Sequence, residues 1–452
     1  MNAPLAHGTM EAYFHDIAAT LDHLLDAGEH YTAVFGAEVS DFVRLNGGRV
    51  RQPGSVIQRS LDIDLIRGAR HATQHLALSG DPKRDQPLVA AAIASLRVAL
   101  PQLDDDPHLM VATDVQSSRA VRGGPLPPAE AIVDAVLASA RGLDLVGLYA
   151  GGTVHRGFAN SFGQRNWHEA TCYNLQWSLY HRADKAVKSE LSGFTWDAIA
   201  FAERMDAARA ALAQIAQPPK RLSPGTYRAY LAPEAMQELL SLLSWGSFSA
   251  RALATRQSPL LWMQPGSGEA AQLDPRITIT EATVDAVAPA FQSEGFARPA
   301  RVPLIQRGRL EGSLCSPRTA REFDLAPNGA NALEMPESLS LAGGELAAAD
   351  ALAALDTGLA IGNLWYLNYS DRPACRMTGM TRFATFWVES GRIVAPVDVL
   401  RFDDTLYRML GSNLEALTAE TELILDSSTY GERSLASTRT PGALLREMTF
   451  TL

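Results

Sequence analysis

The ten histidines of this chain all lie between His7 and His181, and none follows. A catalytic zinc is ordinarily gripped by imidazole nitrogens, with carboxylate or thiolate completing three protein ligands and water in the fourth place. The distal half therefore cannot assemble an imidazole-held hydrolytic centre from its own residues. In the proximal half two pairings have ligand-like spacing. His71 and His75 would chelate from one helix face, but the surrounding residues alternate as in a strand, where four residues span about 13 Å. His168-Glu169 imitates the opening of a zincin motif, yet Cys172 and Tyr173 stand where a second histidine is needed. Both pairs read as structural.

Other reactive types are scattered. Cys172, Cys315 and Cys375 show no C-x-x-C spacing, and a sparse, odd count favours a reducing compartment with idle thiols. Cys375 lies in SDRPACR (Ser370–Arg376), where arginines would lower a thiol pKa; a cysteine nucleophile still wants a histidine base, which the distal half lacks. Glu234 reads as an acidic residue in a helix's first turn, favourable to the helix dipole. The run Trp365-Tyr366-Leu367-Asn368-Tyr369 could line a groove, with Asn368, Tyr369 and Arg382 as binding contacts, although packing is the commoner fate of such a run.

These groups need a scaffold, and 452 residues is more than one ordinary core accommodates. Hydrophobic content of 46% with 20% charged residues describes a soluble globular protein. A formal charge of −10 argues against nucleic acid, which needs a basic face. With no basic leader and no long apolar span, the expected location is the cytoplasm, with no membrane contact.

Helices are expected over Thr9–Ala27, Pro87–Leu100, Pro128–Ala140 and Trp196–Ala216. A β-meander is expected over Phe42–Leu78, with Asn46-Gly47-Gly48 as a hairpin turn and Pro53-Gly54 as a second reversal. A second strand series runs from Leu143 to Arg182. The Pro218-Pro219-Lys220 step marks the domain boundary. Beyond it come a strand at Gly225–Leu231, a helix at Pro233–Leu243, strands at Ile277–Glu281, Phe383–Glu389 and Arg392–Val397 with a turn at Ser390-Gly391, and a short helix at Asp404–Leu410. The expected class is α+β in two domains. Residues 1–217 would form an N-terminal, sandwich-like domain of meander strands and helices, and 218–452 a β-rich C-terminal domain with few helices.

Several stretches, in order, resemble the TldD/PmbA family. Val43–Val56 (VRLNGGRVRQPGSV) looks like its first hairpin; Gly308–Ala320 (GRLEGSLCSPRTA) is similar to its G-x-L-x-G-x-L-x-S-x-x-x-A run; and Gly358–Gly362 with Thr378–Val397 (TGMTRFATFWVESGRIVAPV) resembles its closing hairpin. The resemblance implies one of two roles. The TldD branch carries HExxxH on a C-terminal-domain helix and a cysteine near the C-terminus as third zinc ligand; the PmbA (TldE) branch lacks these and pairs with a TldD-type subunit in proteolysis of peptides or unfolded chains. Here the corresponding helix reads Pro233-Glu234-Ala235-Met236-Gln237-Glu238, and Tyr430 before Gly431 corresponds to the cysteine. Pro233, Glu238 and Tyr430 thus occupy the three ligand positions, and Glu234 that of the general base.

The expectation is a PmbA/TldE-like, non-catalytic subunit without a cofactor of its own, zinc being confined to a TldD-like partner. It would assemble with that partner or with itself as a homodimer, and an extended peptide could add to a sheet edge. The alternatives are an enzyme of different chemistry reusing the cleft through carboxylates and Arg382 or Arg376, and a binding or scaffold protein without catalysis.

Overall fold

A computed structural model describes residues 8–182, 185–266 and 271–451; the Met1–His7 stretch read for a leader lies outside them. Alternation of apolar residues builds the first sheet. Its strands are β1 (His30–Asn46), β2 (Arg49–Arg67), β3 (Arg70–Ala77), β4 (Ser118–Arg122), β5 (Asp144–Asn160), β6 (Arg165–Arg182) and β7 (Lys185–Gly193), in the order β3-β2-β1-β5-β6-β4 with β7 also on β6. The first hairpin turns where expected: Gly47 and Gly48 have φ of 58° and 65°, the mirror-image turn that matches strand twist and that glycine enters without strain.

Four helices serve this sheet: α1 (Met10–Leu24), α2 (Pro82–Ala99), α3 (Ala129–Ser139) and α4 (Ala198–Ile215). Period-2 strand positions Tyr31, Ala33, Phe35, Leu61, Ile63 and Leu65 bury against Phe14, Ile17 and Leu21 of α1 and Val89, Ile93 and Leu96 of α2. Asp197 caps α4 by accepting from Ile199 N and Ala200 N, satisfying donors a helix start leaves open.

The second sheet is drawn from residues 225–450. Its strands are β8 (Gly225–Leu231), β9 (Ile279–Glu281), β10 (Val302–Gln306), β11 (Arg309–Leu310), β12 (Ser338–Leu341), β13 (Gly358–Asp371), β14 (Arg376–Glu389), β15 (Arg392–Pro396), β16 (Arg401–Thr405), β17 (Leu414–Leu425) and β18 (Ser437–Phe450). Because β8 pairs with both β13 and β18, strands β18-β16-β14-β13-β8 close into a ring. Helix α5 (Pro233–Leu243) packs on β13 and β18 through Ala235, Met236, Leu239, Leu240 and Leu243. The remaining described helices of this half are three short ones, α6 (Ala250–Ala254), α7 (Pro317–Phe323) and α8 (Ala351–Leu355), besides single turns. The architecture is α+β, β-rich beyond residue 224. The halves share a core: Val187, Phe201 and Met205 pack in one cluster with Phe386, Val388 and Leu444.

Four expectations are corrected. Pro53-Gly54 makes no reversal; β2 runs straight through it, and a proline is tolerated because β3 pairs only with residues 60–67, leaving this stretch an edge. The meander begins at His30, not Phe42. Helix α2 starts at Pro82, capped by Asp81, with Pro87 inside it. Asp404 belongs to a strand, β16, where its buried carboxylate accepts from Thr405 N and Thr449 N at 2.8 and 3.1 Å; only a single turn, Arg408–Ser412, follows.

Candidate functional site

Helix α5 has two faces. Its apolar stripe is committed to the core, so Glu234, Gln237, Glu238 and Ser241, spaced at helical intervals, line a cavity of about 210 Å³ at the seam between the halves. The opposite wall carries Gln176, Lys188 and Glu190 from β6 and β7, and Asn363 from β13. Pro233 occupies the helix's first turn, where its missing N–H costs nothing.

Glu234 is engaged within the chain. Arg204, projecting from α4, donates to Glu234 Oε1 at 3.0 Å and to Glu422 Oε2 at 2.8 Å. One guanidinium cannot neutralise two carboxylates. Burial and the Glu422 charge therefore hold Glu234 above the usual carboxylate range, against the pull of Arg204. Burial also raises Glu238.

The residues do not fit zinc. Of the three ligand positions, Pro233 has no donor in its side chain, Glu238 lines the seam cavity, and Tyr430, 99% exposed, lies in the loop beside Thr429 and Gly431 that covers a different cavity, against β1 and β2. Glu234, at the general-base position, is tied to Arg204. Among the described residues no group of three histidine, cysteine or acidic side chains could hold a metal ion.

The other sequence candidates are placed as follows. His71 and His75 lie on β3, hydrogen-bonded to Asp64 and Asp62 at 3.0 and 2.8 Å. His168 is buried on β6, its Nε2 2.8 Å from Val287 O; burial lowers it, like His155, to about 4, so both imidazoles are neutral. Cys375 is fully buried and its thiol is pushed up to about 12 by desolvation. That state opposes nucleophilic use. Arg376 is paired with Asp403.

The aromatic run divides. The Tyr369 hydroxyl donates to Leu242 O at 3.0 Å, and the exposed Asn368 accepts from Tyr369 N at 2.8 Å. Trp365 and Arg382 instead line a second cleft, of about 260 Å³, together with Lys185, Met380, Phe383 and Thr385. The Arg382 guanidinium stacks 3.9 Å from the centre of the Trp365 ring and 5.2 Å from that of Phe383. Two register shifts shape this part of the β13–β14 ladder. Tyr366 and Phe383 both take φ of 58°, a left-handed conformation costly for bulky side chains. The contribution of Lys185 and Thr385, and the splitting of the aromatic run, escaped sequence reasoning; no spacing signal announces a bulge between aromatic residues.

The family model of the PmbA/TldA metallopeptidase C-terminal domain matches residues 224–452, and the chain belongs to the TldD/PmbA family. Solved structures similar over the whole length show the same fold: TldE from Thermococcus kodakarensis (TM-score 0.75, 14% identity, 97% of this chain and 100% of that one), a proposed modulator of DNA gyrase from Bacteroides thetaiotaomicron (0.73, 16%, 97% and 98%), and another from Thermotoga maritima (0.72, 13%, 98% and 100%). No curated protein matches the sequence. No helix among the described residues is long and apolar enough to cross a membrane.

Proposed function

We propose that this protein is a PmbA/TldE-like, zinc-free subunit that pairs with a TldD-type zinc peptidase in the cytoplasm and shapes the chamber in which peptides or unfolded chains are cut. One observation carries the reading. At the helix where the family's zinc branch places its ligands, this chain has Pro233, whose side chain has no donor, and Glu234, whose carboxyl is already held by Arg204. A general base must reach its proton and water; a carboxylate clamped by a guanidinium shared with Glu422 is poorly placed to do so. Peptide hydrolysis then needs a metal supplied by another subunit, and this chain contributes wall and substrate contacts. Without that subunit it would self-associate as a two-fold dimer.

The test is co-expression with an HExxxH-bearing relative. The expected result is co-purification, zinc bound only by the relative, and peptidase activity that rises when this chain is present. Stoichiometric zinc and peptidase activity in the lone chain would overturn the proposal.

A further inference from the structure

We propose that the cleft between Trp365 and Arg382 binds the C-terminal carboxylate of a peptide whose last side chain is apolar. This requires neither zinc nor a second subunit, so it stands or falls separately from the partnership proposed above.

The cleft is built by a bulge. Ile361 pairs with Thr385 and Asn363 with Arg382, so two steps on β13 face three on β14. In a regular strand, residues an odd number apart point to opposite faces. The extra residue breaks that alternation, and Thr385, Phe383 and Arg382 all reach the same cleft. The cost is Phe383 at φ 58°. Tyr366, at the same φ, accompanies the second register shift, next to Trp365. Strain of this kind persists only where the surrounding fold enforces it.

Among the described residues the Arg382 guanidinium makes ring contacts and no hydrogen bond or ion pair. Its planar fork suits a carboxylate held by two parallel bonds. Stacking on Trp365 fixes the side chain in advance and so reduces the entropy lost on binding. Thr385, 2% exposed, forms part of the cleft wall, and its buried hydroxyl has no partner among the described residues. The other cation, Lys185, is 6% exposed and already bonded to Asp398 at 3.1 Å.

One available fork on a protein of charge −10 matches a single negative charge better than a phosphate, which would want several donors. The remaining walls, including Met380, Phe383 and Val399, favour an apolar side chain. The volume of about 260 Å³ lies just below the roughly 300–1,000 Å³ of clefts that take drug-sized ligands, which suits one or two residues.

The experiment is calorimetric titration of the full chain with N-acetyl-Ala-Leu, with its C-terminal amide, and with inorganic phosphate. The free acid should bind at one site, the amide at least about tenfold more weakly, and phosphate should not displace the acid. Arg382→Gln should bring the acid down to the level of the amide and leave the amide unchanged. Trp365→Leu should weaken both. Equal binding of acid and amide, no binding of either, or displacement by phosphate would each overturn the proposal. If Arg382→Gln melts abnormally, the acid-against-amide ratio on the natural chain decides alone.

Discussion

Two arginines, one at each of the two clefts described above, are used in contrary ways. Arg204 at the seam lies between two carboxylates and is consumed by them. Arg382 in the other cleft rests on aromatic faces and, among the described residues, meets no carboxylate. Both are anchored on rigid elements. What separates them is whether the chain also supplies the counter-charge: where it does, the site is closed to ligands; where it does not, a ligand can supply it.

The contrast breaks first at Arg204. Arg204→Met strands Glu234 and Glu422, and should destabilise the protein by about 2–3 kcal/mol, at or just below the roughly 3–5 kcal/mol of a broken buried pair because Glu422 is partly solvated. Adding Glu234→Gln and Glu422→Gln should recover most of the loss, because a fully neutral seam has no charge left unpaired. Urea midpoints of the three proteins check both steps; a single variant as stable as the parent would show that the seam charges are screened by water.

A pH profile sharpens the contrast. The folded pKa of Glu234 is raised, so the folded state holds that proton more tightly than the unfolded chain. The associated stability is fully present below the unfolded value and is lost as pH rises from the ordinary glutamate range toward neutrality, at up to about 1.4 kcal/mol per pH unit. Glu234→Gln should remove that slope between pH 4.5 and 7, read as the difference between two melting series; parallel profiles would refute it.

The smallest effect lies on the cleft side. Tyr366 is 75% exposed at φ 58°. Tyr366→Gly relieves the left-handed strain and gives up the ring contact to Trp365, for a net gain of about 0.5–1 kcal/mol. A loss of stability would mean that the aromatic contact outweighs the strain.

Much of the scaffold is legible in the sequence where one local rule decides. Asn46-Gly47-Gly48 and Ser390-Gly391 name their turns because positive φ is needed there and the residues allow it. The α5 boundary follows from Pro233 and an apolar stripe. Pro53-Gly54 misleads because the same pair serves a turn or an unpaired edge, and only pairing partners distinguish them. Asp404 misleads because an acidic residue before Leu406 and Leu410 imitates a helix start, while its partner, Thr449 N, is 45 residues away. The seam was half readable: Glu234 stands out in its motif, but Arg204 and Glu422, 218 residues apart, meet only because β7, α4 and β17 converge. The bulge that turns Arg382 and Thr385 toward one cleft leaves no mark in composition or spacing.

Pro233 has a consequence for how such a chain can change. Placing imidazoles at 233 and 238 would not create a hydrolytic centre while Arg204 retains Glu234 and Tyr430 sits in a loop over another cavity. Under the zinc-free role proposed above, a hydrolytic centre at this helix would need several coordinated replacements, at Pro233, Arg204 and Tyr430 together, and no single one of them would suffice.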